Sequence, residues 1–435
     1  MQEREPTDDE LMPESTLEIR AIVSGLLEEL VGLRGDAVHI EPGFEAYRVR
    51  VRVGGRLRPS GCPVLTPPIG RLVVQRLKLI AGFRPVPLPV PIDGDVRTSD
   101  GRRFVVTTLP LGPRAARWTL TEDGESLPRF YAQGDEAVVI QLVDQPTEQQ
   151  VETLADLLPD PADRLPLEAA LAGGRGLLVV AGPRASGKRT LLRACLRALA
   201  PGRSVASVAH EHTADLDSVQ QVRPFHEIGY GTTAALAQAV RVGADAVALC
   251  DALHDAEAAE LLVTTGIERL ALGAVWASDA VGAVTRFLDL ADRHETQLQD
   301  RGLAPGRVAR ALRLVVVVRL VPALCPECKA PSPRMTSGEL RRLSPALAAE
   351  VEAGQRHPRP CEPRGCPLCQ ATGRLGRLLV AEVTPLPGDG TSPVVDPTCL
   401  RERLAASRRR SLRDAALTLA LEGRVSVEDA LEATA

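Results

Sequence analysis

Hydrophobic and polar positions alternate with two different periods in the first third of the chain. Residues 16–32 carry apolar side chains at helical spacing, which predicts an amphipathic helix. In residues 46–53 apolar side chains alternate with arginines, which predicts a half-exposed strand that turns at Gly54 and Gly55. Further strand patterns at residues 102–111 and 114–120 complete a small mixed α+β domain, which we place at residues 16–145.

The pattern changes after residue 146, where short apolar runs alternate with helical stretches. Residues 177–181 form an apolar run bounded by glycines, and residues 188–200 follow it with helical spacing. Two more apolar runs at residues 245–251 and 269–278 have helical stretches on either side. Strands that alternate with helices indicate a doubly wound parallel sheet, so we predict an α/β domain over residues 146–435.

Composition narrows the class of protein. The formal net charge of −4 over 435 residues provides no overall field for nucleic acid or an acidic membrane surface. No apolar run approaches the about 20 residues that a membrane helix needs. The acidic, proline-containing residues 1–15 are unlike a signal peptide, and we predict a disordered leader there and a cytoplasmic chain.

The strongest motif is the stretch AGPRASGKRTLL at residues 181–192, which fits the phosphate-loop pattern GxxxxGK. A buried strand before it and a helix after it would point backbone N–H groups and the helix dipole at phosphates. The alternative is a glycine-rich turn with a surface lysine. We predict a nucleotide site, for ATP, formed by residues of this stretch, namely Gly182, Ser186, Gly187, Lys188, Arg189 and Thr190.

Arg189 stands where a phosphate loop carries the serine or threonine that ligates magnesium. Thr190 cannot replace that hydroxyl, because one helical residue turns the side chain by about 100°. A guanidinium about 5 Å from the ion would repel it by roughly 3 kcal/mol per unit of metal charge at an effective dielectric constant near 20. We therefore expect nucleotide binding that depends little on magnesium.

Four of the nine cysteines form two CxxC pairs, Cys325 with Cys328 and Cys366 with Cys369. Each pair can place two thiolates on one tetrahedral ion, so we predict a structural zinc site in a subdomain at residues 325–370. Four unrelated thiols are the alternative. The remaining cysteines, except the spare Cys361, lie in apolar contexts that indicate core positions.

The order of these segments resembles the secretion and pilus-assembly ATPases, the type II secretion protein E and type IV pilus PilB-like family. The resemblance runs from about residue 20 to 434 and includes the stretches GDAVHIEPG, RLKLIAG, TTLP, RLVPALCPECK and GCPLCQATGRLGR. It implies a RecA-like phosphate-loop NTPase domain, with an inserted tetracysteine zinc subdomain, after the small α+β domain. It also implies a hexameric ring on the cytoplasmic face of the inner membrane, with platform proteins of the machine as partners.

The catalytic segments of this family differ here. Asp251, the candidate catalytic residue, stands in place of a glutamate, and VAHEHT at residues 208–213 replaces an acidic segment. Both histidines of a further segment are lost, one of them to Trp276, whereas Asp279 remains. We expect Asp245 and Asp255 to serve at strand ends and helix caps, and His210 and His212 to be exposed at a strand end.

These departures together predict an ATP-binding subunit with impaired hydrolysis and a structural or regulatory role. A slow but active motor that uses Asp251 is the first alternative. The second is a nucleic-acid reader built on the zinc knuckles. The knuckles lack the stacking aromatics and dense basic residues that nucleic-acid binding requires, so we expect no nucleic-acid partner.

Overall fold

The computed structural model describes most of the chain between residues 15 and 434. The ranges outside the description are 1–14, 34, 44, 54–55, 87–91, 99–101, 111–118, 121–125, 128–135, 144–151, 211–215, 217, 225–229, 298–303, 334, 387–403, 405, 407–409 and 435. Residues 1–14 of the predicted leader, the turn at Gly54 and Gly55, and His212 therefore lie outside the described residues, whereas Ser15, the last residue of that leader, begins the first helix. Contacts along the chain divide it into two compact units, Met1–Gln145 and Pro146–Ala435.

The first unit is a mixed α+β domain with a six-stranded antiparallel sheet of order β3-β2-β1-β8-β5-β4. Its helices are α1 (Ser15–Gly32) and α2 (Pro67–Ile80). Its strands are β1 (Ala37–Glu41), β2 (Arg48–Val53), β3 (Arg56–Pro59), β4 (Ile92–Arg97), β5 (Arg103–Pro110) and β8 (Glu136–Val143), with β6 (Thr119–Leu120) and β7 (Ser126–Leu127) as a separate ribbon.

The core of this unit follows the predicted periodicities. In α1 the buried positions Ile19, Val23, Leu26 and Leu30 form one helical face. One charged pair is also buried there, since Lys78 Nζ of α2 lies 2.8 Å from Glu136 Oε1 at the start of β8. The expected helix and strands of the small domain are thus present.

The second unit is built on a seven-stranded sheet with helices on both faces. Its helices are α3 (Leu154–Leu157), α4 (Pro161–Ala172), α5 (Lys188–Leu199), α6 (Thr232–Arg241), α7 (Ala256–Glu268), α8 (Ala280–Gln297), α9 (Ala304–Ala311), α10 (Ser337–Leu343), α11 (Pro345–Glu352), α12 (Leu412–Leu421) and α13 (Val427–Ala433). Its strands are β9 (Gly176–Ala181), β10 (Val205–Val208), β11 (Val219–Val222), β12 (Ala246–Ala252), β13 (Leu270–Val275), β14 (Leu312–Leu324), β15 (Ala330–Pro331), β16 (Cys361–Glu362) and β17 (Arg374–Pro385).

The strand order of the large sheet is β11-β10-β12-β13-β9-β14-β17, and every neighbouring pair is parallel except β14 with β17. Side chains of β9 enter two separate cores, Leu177 and Val179 on one face and Leu178 and Val180 on the other. This arrangement confirms the predicted doubly wound sheet. Strands β11, β14 and β17 were not predicted, and β10 was predicted only through the strand end expected at His210.

β14 and β17 form a long antiparallel hairpin whose connection contains the cysteine pairs. The connection also holds α10, α11 and the short β15–β16 ribbon. The C-terminal helices α12 and α13 pack on the hairpin, where Ala416 and Ala420 share a core with Val321 and Val380. The inserted segment is therefore fixed to the large sheet through two of its own strands.

Within the part of the chain that the structure describes, no helix is both long enough and apolar enough to span a bilayer.

Candidate functional site

The phosphate loop connects the carboxyl end of β9 to the first turn of α5. Gly187 caps α5 with a left-handed φ of 93°, and a Cβ there would lie 2.5 Å from Leu379 Cδ1 of β17. A Cβ on Gly182 would collide with the Ser186 hydroxyl. Both glycines of the motif are therefore required by the backbone and by close packing.

The interior of the loop is polar and fits an anion. The buried Ser186 Oγ has no hydrogen-bond partner, and Lys188 Nζ donates to the backbone carbonyls of Gly182 at 2.9 Å and Pro183 at 2.6 Å. Burial of Lys188, with added repulsion from Arg319 and Arg189, lowers its pKa to about 8. A bound phosphate would supply an acceptor for the Ser186 hydroxyl and a counter-charge for Lys188.

Arg189 points from the first turn of α5 to the end of β12. Its Nη2 donates to Asp251 Oδ1 at 2.7 Å, whereas Asp251 Oδ2 accepts from the His210 N–H at 2.6 Å and lies 2.9 Å from His210 Nδ1. Burial opposes ionisation of Asp251, but hydrogen bonds from His210 and the charge and hydrogen bond of Arg189 outweigh it and lower its pKa to about 2. Asp251 is therefore an ionised carboxylate that already has partners on both oxygens.

His210 is more than an exposed strand-end residue. It follows β10, and its side chain is 43% exposed as expected, but its ring and its backbone N–H both contact Asp251. β10 and β12 are adjacent and parallel, which brings their carboxyl ends together. Exposure alone was the expectation, and the contact with Asp251 is the correction.

Two further residues of the site were missed by the sequence analysis. Arg319 of β14 donates to the Ser278 carbonyl at 2.9 Å and raises the positive potential at Lys188. The Arg184 guanidinium of the loop lies 5.0 Å from the ring centroid of Trp276, a cation–π distance. A lone arginine in the apolar run of β14 was the signal for the first, whereas the second pair joins distant parts of the sequence.

The remaining predicted residues near the loop have structural positions. Thr190 is partly buried one residue beyond Arg189 in α5. Asp255 caps α7 by accepting from the Ala258 N–H, and Asp245 accepts from the Ser204 N–H at 2.8 Å, which confirms the structural roles expected for both. Asp279 accepts from the Gly282 N–H at the start of α8.

The four predicted cysteines lie together at the connected end of the β14–β17 hairpin, between Leu324 and Arg374. Cys325 Sγ lies 3.8 Å from Cys366 Sγ, and Cys369 Sγ lies 3.7 Å from both Cys328 Sγ and Cys366 Sγ. All four sulfur atoms are within 4.8 Å of one another. Zinc–sulfur bonds of about 2.3 Å in a tetrahedron separate neighbouring sulfurs by about 3.8 Å, so the cluster has the dimensions of a tetrathiolate zinc site.

Backbone N–H groups point at these sulfur atoms. Gly365 N donates to Cys328 Sγ at 3.3 Å, and Cys366 N and Gly373 N each donate to Cys369 Sγ at 3.2 Å. Burial opposes ionisation of Cys369, but these two N–H groups and its neighbouring thiols lower its pKa to about 6. These contacts therefore favour the thiolate form at Cys369, whereas burial raises the pKa of Cys328 to about 12.

The spare cysteines are separate from this cluster. Cys361 is half-buried and contacts the Arg359 carbonyl. Cys195 and Cys250 are buried in the core beneath α5, as predicted, whereas Cys62 is half-buried. Cys399 lies outside the described residues.

With this geometry established, comparison with known proteins identifies the family. The sequence model of the family described as "Type II/IV secretion system protein" matches residues 14–432. The chain belongs to this family. The match covers both structural units, so the fold and the motifs can be compared over the whole length.

Individual relatives agree with this assignment. The chain is 26% identical to the putative type II secretion system protein E of Escherichia coli K12, over 99% of this chain and 80% of that protein. It is 25% identical to the type IV pilus assembly ATPase PilB of Myxococcus xanthus, over 95% of this chain and 67% of that protein.

A solved structure supports the fold independently. The X-ray structure of the Legionella pneumophila ATPase DotB superposes with a TM-score of 0.60 at 13% identity, and covers 98% of this chain and 97% of DotB. At this identity the likeness concerns the fold alone. The RecA-like assignment of the second unit and the mixed α+β assignment of the first are in agreement with it.

Proposed function

We propose that this family member is an ATP-binding subunit of a type II secretion or type IV pilus-like machine, in which hydrolysis is impaired and the role is structural or regulatory. The proposal rests on a contrast within one site, between a loop that can bind phosphate and a carboxylate that already has partners. The loop keeps Gly182, Gly187, Lys188 and an unpartnered Ser186 hydroxyl for phosphate, whereas Asp251 is engaged by Arg189 and His210.

The phosphate half of the site performs binding. Lys188 gives up its hydrogen bonds to the loop carbonyls and donates to phosphate oxygens, while Ser186 and the N-terminal N–H groups of α5 provide neutral donors. Arg189 and Thr190 belong to the same proposed site, as side chains of the first turn of α5. Residues 146–435 form the proposed nucleotide-binding domain, and residues 16–145 the accessory domain.

Among the described residues of the catalytic half, the candidate carboxylate Asp251 is already engaged. Positioning water needs a carboxylate with an available oxygen, and each oxygen of Asp251 has a hydrogen-bond partner in the described structure. An active, slow motor would require Asp251 to leave Arg189 and His210 during turnover. The nucleic-acid alternative is not favoured, because the knuckles lack the stacking aromatics and dense basic residues that nucleic-acid binding requires.

We assign zinc to Cys325, Cys328, Cys366 and Cys369 within residues 325–370, where it would hold the ends of β14 and β17 together. When bound, the ion supplies cross-linking and no chemistry. The relatives named for secretion and pilus assembly support further assignments. These are a ring of about six homologous or identical subunits, inner-membrane platform proteins as partners, and a cytoplasmic position at that membrane.

The proposal is tested by titrating ATP into the protein in a calorimeter. We expect binding by the unmodified chain, and an affinity at least about tenfold weaker for Lys188→Ala, because charge-assisted hydrogen bonds contribute about 1.5–3 kcal/mol each. Lys329→Ala is the matched control, since this lysine bonds the Gly423 carbonyl outside the loop. Equal affinities for all three proteins, or no binding by the unmodified chain, would refute a phosphate-loop site.

A further inference from the structure

The ion pair between Arg189 and Asp251 occupies the position where a phosphate-loop site holds its metal ion. A metal there would lie between the first turn of α5 and the carboxylate that ends β12. The Arg189 guanidinium makes this connection directly, with 2.7 Å between its Nη2 and Asp251 Oδ1. Magnesium binds oxygen ligands at about 2.0–2.1 Å on opposite sides, so it cannot enter without separating the pair.

The side-chain oxygens that magnesium would need as ligands are hydrogen-bonded or lie elsewhere in the loop. Asp251 Oδ2 accepts from the His210 N–H, and this hydrogen bond lies on the side away from Arg189. Ser186 has an unpartnered hydroxyl, but it is inside the loop close to Gly182, where phosphate would bind in the proposed site. The residues present therefore do not fit the magnesium ion that the family's chemistry implies.

The loop instead carries fixed positive charge. Lys188 and Arg189 belong to the start of α5, Arg184 is exposed in the loop, and Arg319 approaches Lys188 from β14. Burial is the main cause of the lowered pKa of Lys188, and repulsion from Arg319 and Arg189 lowers it further, so several cations lie close together around the loop. A polyphosphate that keeps all of its negative charge complements this potential better than one neutralised by a metal.

We infer that Arg189 takes the place of the metal ion, so that the site selects a nucleoside triphosphate without bound magnesium. This inference rests on the proposed function, because it names the ionic form of the ligand for the same site. The inference predicts more than nucleotide binding that depends little on magnesium. Magnesium should act against binding, since it converts the ligand to the form that the Arg189–Asp251 pair excludes.

The experiment compares two calorimetric titrations of the unmodified chain with ATP, one with excess EDTA and one with excess magnesium at matched ionic strength. We expect ATP to bind about tenfold more tightly in EDTA. Tighter binding in magnesium, or equal affinity in both, would overturn the inference while leaving nucleotide binding intact. No binding under either condition would instead refute the proposed function.

A variant series assigns the effect to Arg189. Arg189→Thr should reverse the effect of magnesium on ATP affinity, so that magnesium strengthens binding. Arg189→Lys keeps the positive charge and should still bind ATP more tightly in EDTA than in magnesium. Arg197→Thr, the same substitution in the last turn of α5, should behave like the unmodified chain. Thermal melts establish that each variant is folded, and the two titrations of the unmodified chain decide the inference even if a variant is not. If folded Arg189→Thr still bound ATP more tightly in EDTA than in magnesium, the effect could not be assigned to Arg189.

Discussion

Lys188 lies in the free protein between two backbone carbonyls and two cationic side chains, and this setting makes its charge sensitive to pH. Its pKa of about 8 is lower than the 10.5 of an unperturbed lysine, because burial and the neighbouring cations disfavour the ammonium form. Folding therefore carries a cost at this residue below pH 8. That cost falls as the pH rises towards 10.5, since the unfolded chain then binds more protons.

ATP binding should have the opposite pH dependence. The ammonium form donates to phosphate, so affinity should weaken between about pH 7.5 and 9.5, approaching tenfold per unit above the pKa. Binding near pH 8.5 should take up protons, measured by calorimetry in buffers of different ionisation enthalpy. Lys188→Arg remains charged and should show a flat profile. Proton release on binding, or a flat profile for the unmodified chain, would contradict this account.

The residues of the site were predictable to different degrees. Gly182, Gly187 and Lys188 lie within seven consecutive residues, so the local strand-to-helix spacing was enough to predict them. The contacts of Asp251 with Arg189 and His210 join residues 62 and 41 positions apart. They depend on which strand ends meet, and the order of the sheet cannot be read from apolar runs alone.

The β14–β17 hairpin connects the cysteine cluster to the phosphate loop. Cys325 follows β14 directly, and its N–H donates to the Gly373 carbonyl just before β17, which closes the base of the insertion. Further along the same strands, Leu320 and Leu379 pack against Gly187. A metal that fixes the hairpin would therefore also support the turn that forms the phosphate cradle.

The zinc prediction belongs to this element. Protein purified without chelator should contain one zinc per chain, because the sulfur spacing matches a tetrahedral site. Cys328→Ser should lose the metal and increase hydrogen exchange over residues 325–369. Cys361→Ser is the control, since this cysteine is outside the cluster, and it should keep both zinc and protection. The absence of zinc from the unmodified protein by elemental analysis would disprove the site.

The large sheet shows where element prediction stops. The alternation of β9, α5, β12 and β13 was sufficient for a doubly wound sheet, as the structure confirms. β10 has only four residues, VASV, and such a short apolar run does not distinguish a strand from part of a helix. In the sequence, β14 stands out only as an apolar run that is too short to form a membrane-spanning helix. Its role as a sheet strand depends on pairing with β9 and β17, which are distant in sequence.

For the whole molecule, membership of the type II/IV secretion system family is combined with a site that we propose binds ATP without hydrolysing it. The phosphate cradle, the metal, the carboxylate and the charge-stabilising groups of an ATPase act as a unit, so repairing one part does not restore turnover. A subunit that binds ATP without hydrolysing it could fix the conformation of a ring or mark an assembled state. The proposed function therefore depends on one claim, that the chain binds ATP without hydrolysing it.

Steady-state phosphate release tests this claim most directly. We expect the unmodified chain with ATP and magnesium to remain at background, at the same level as Lys188→Ala. Arg189→Thr should remain close to background, and the double variant with Asp251→Glu should gain little, because the segments around His210 and Trp276 are unchanged. Release that is proportional to the concentration of the unmodified chain and abolished by Lys188→Ala would contradict the claim and establish a slow motor.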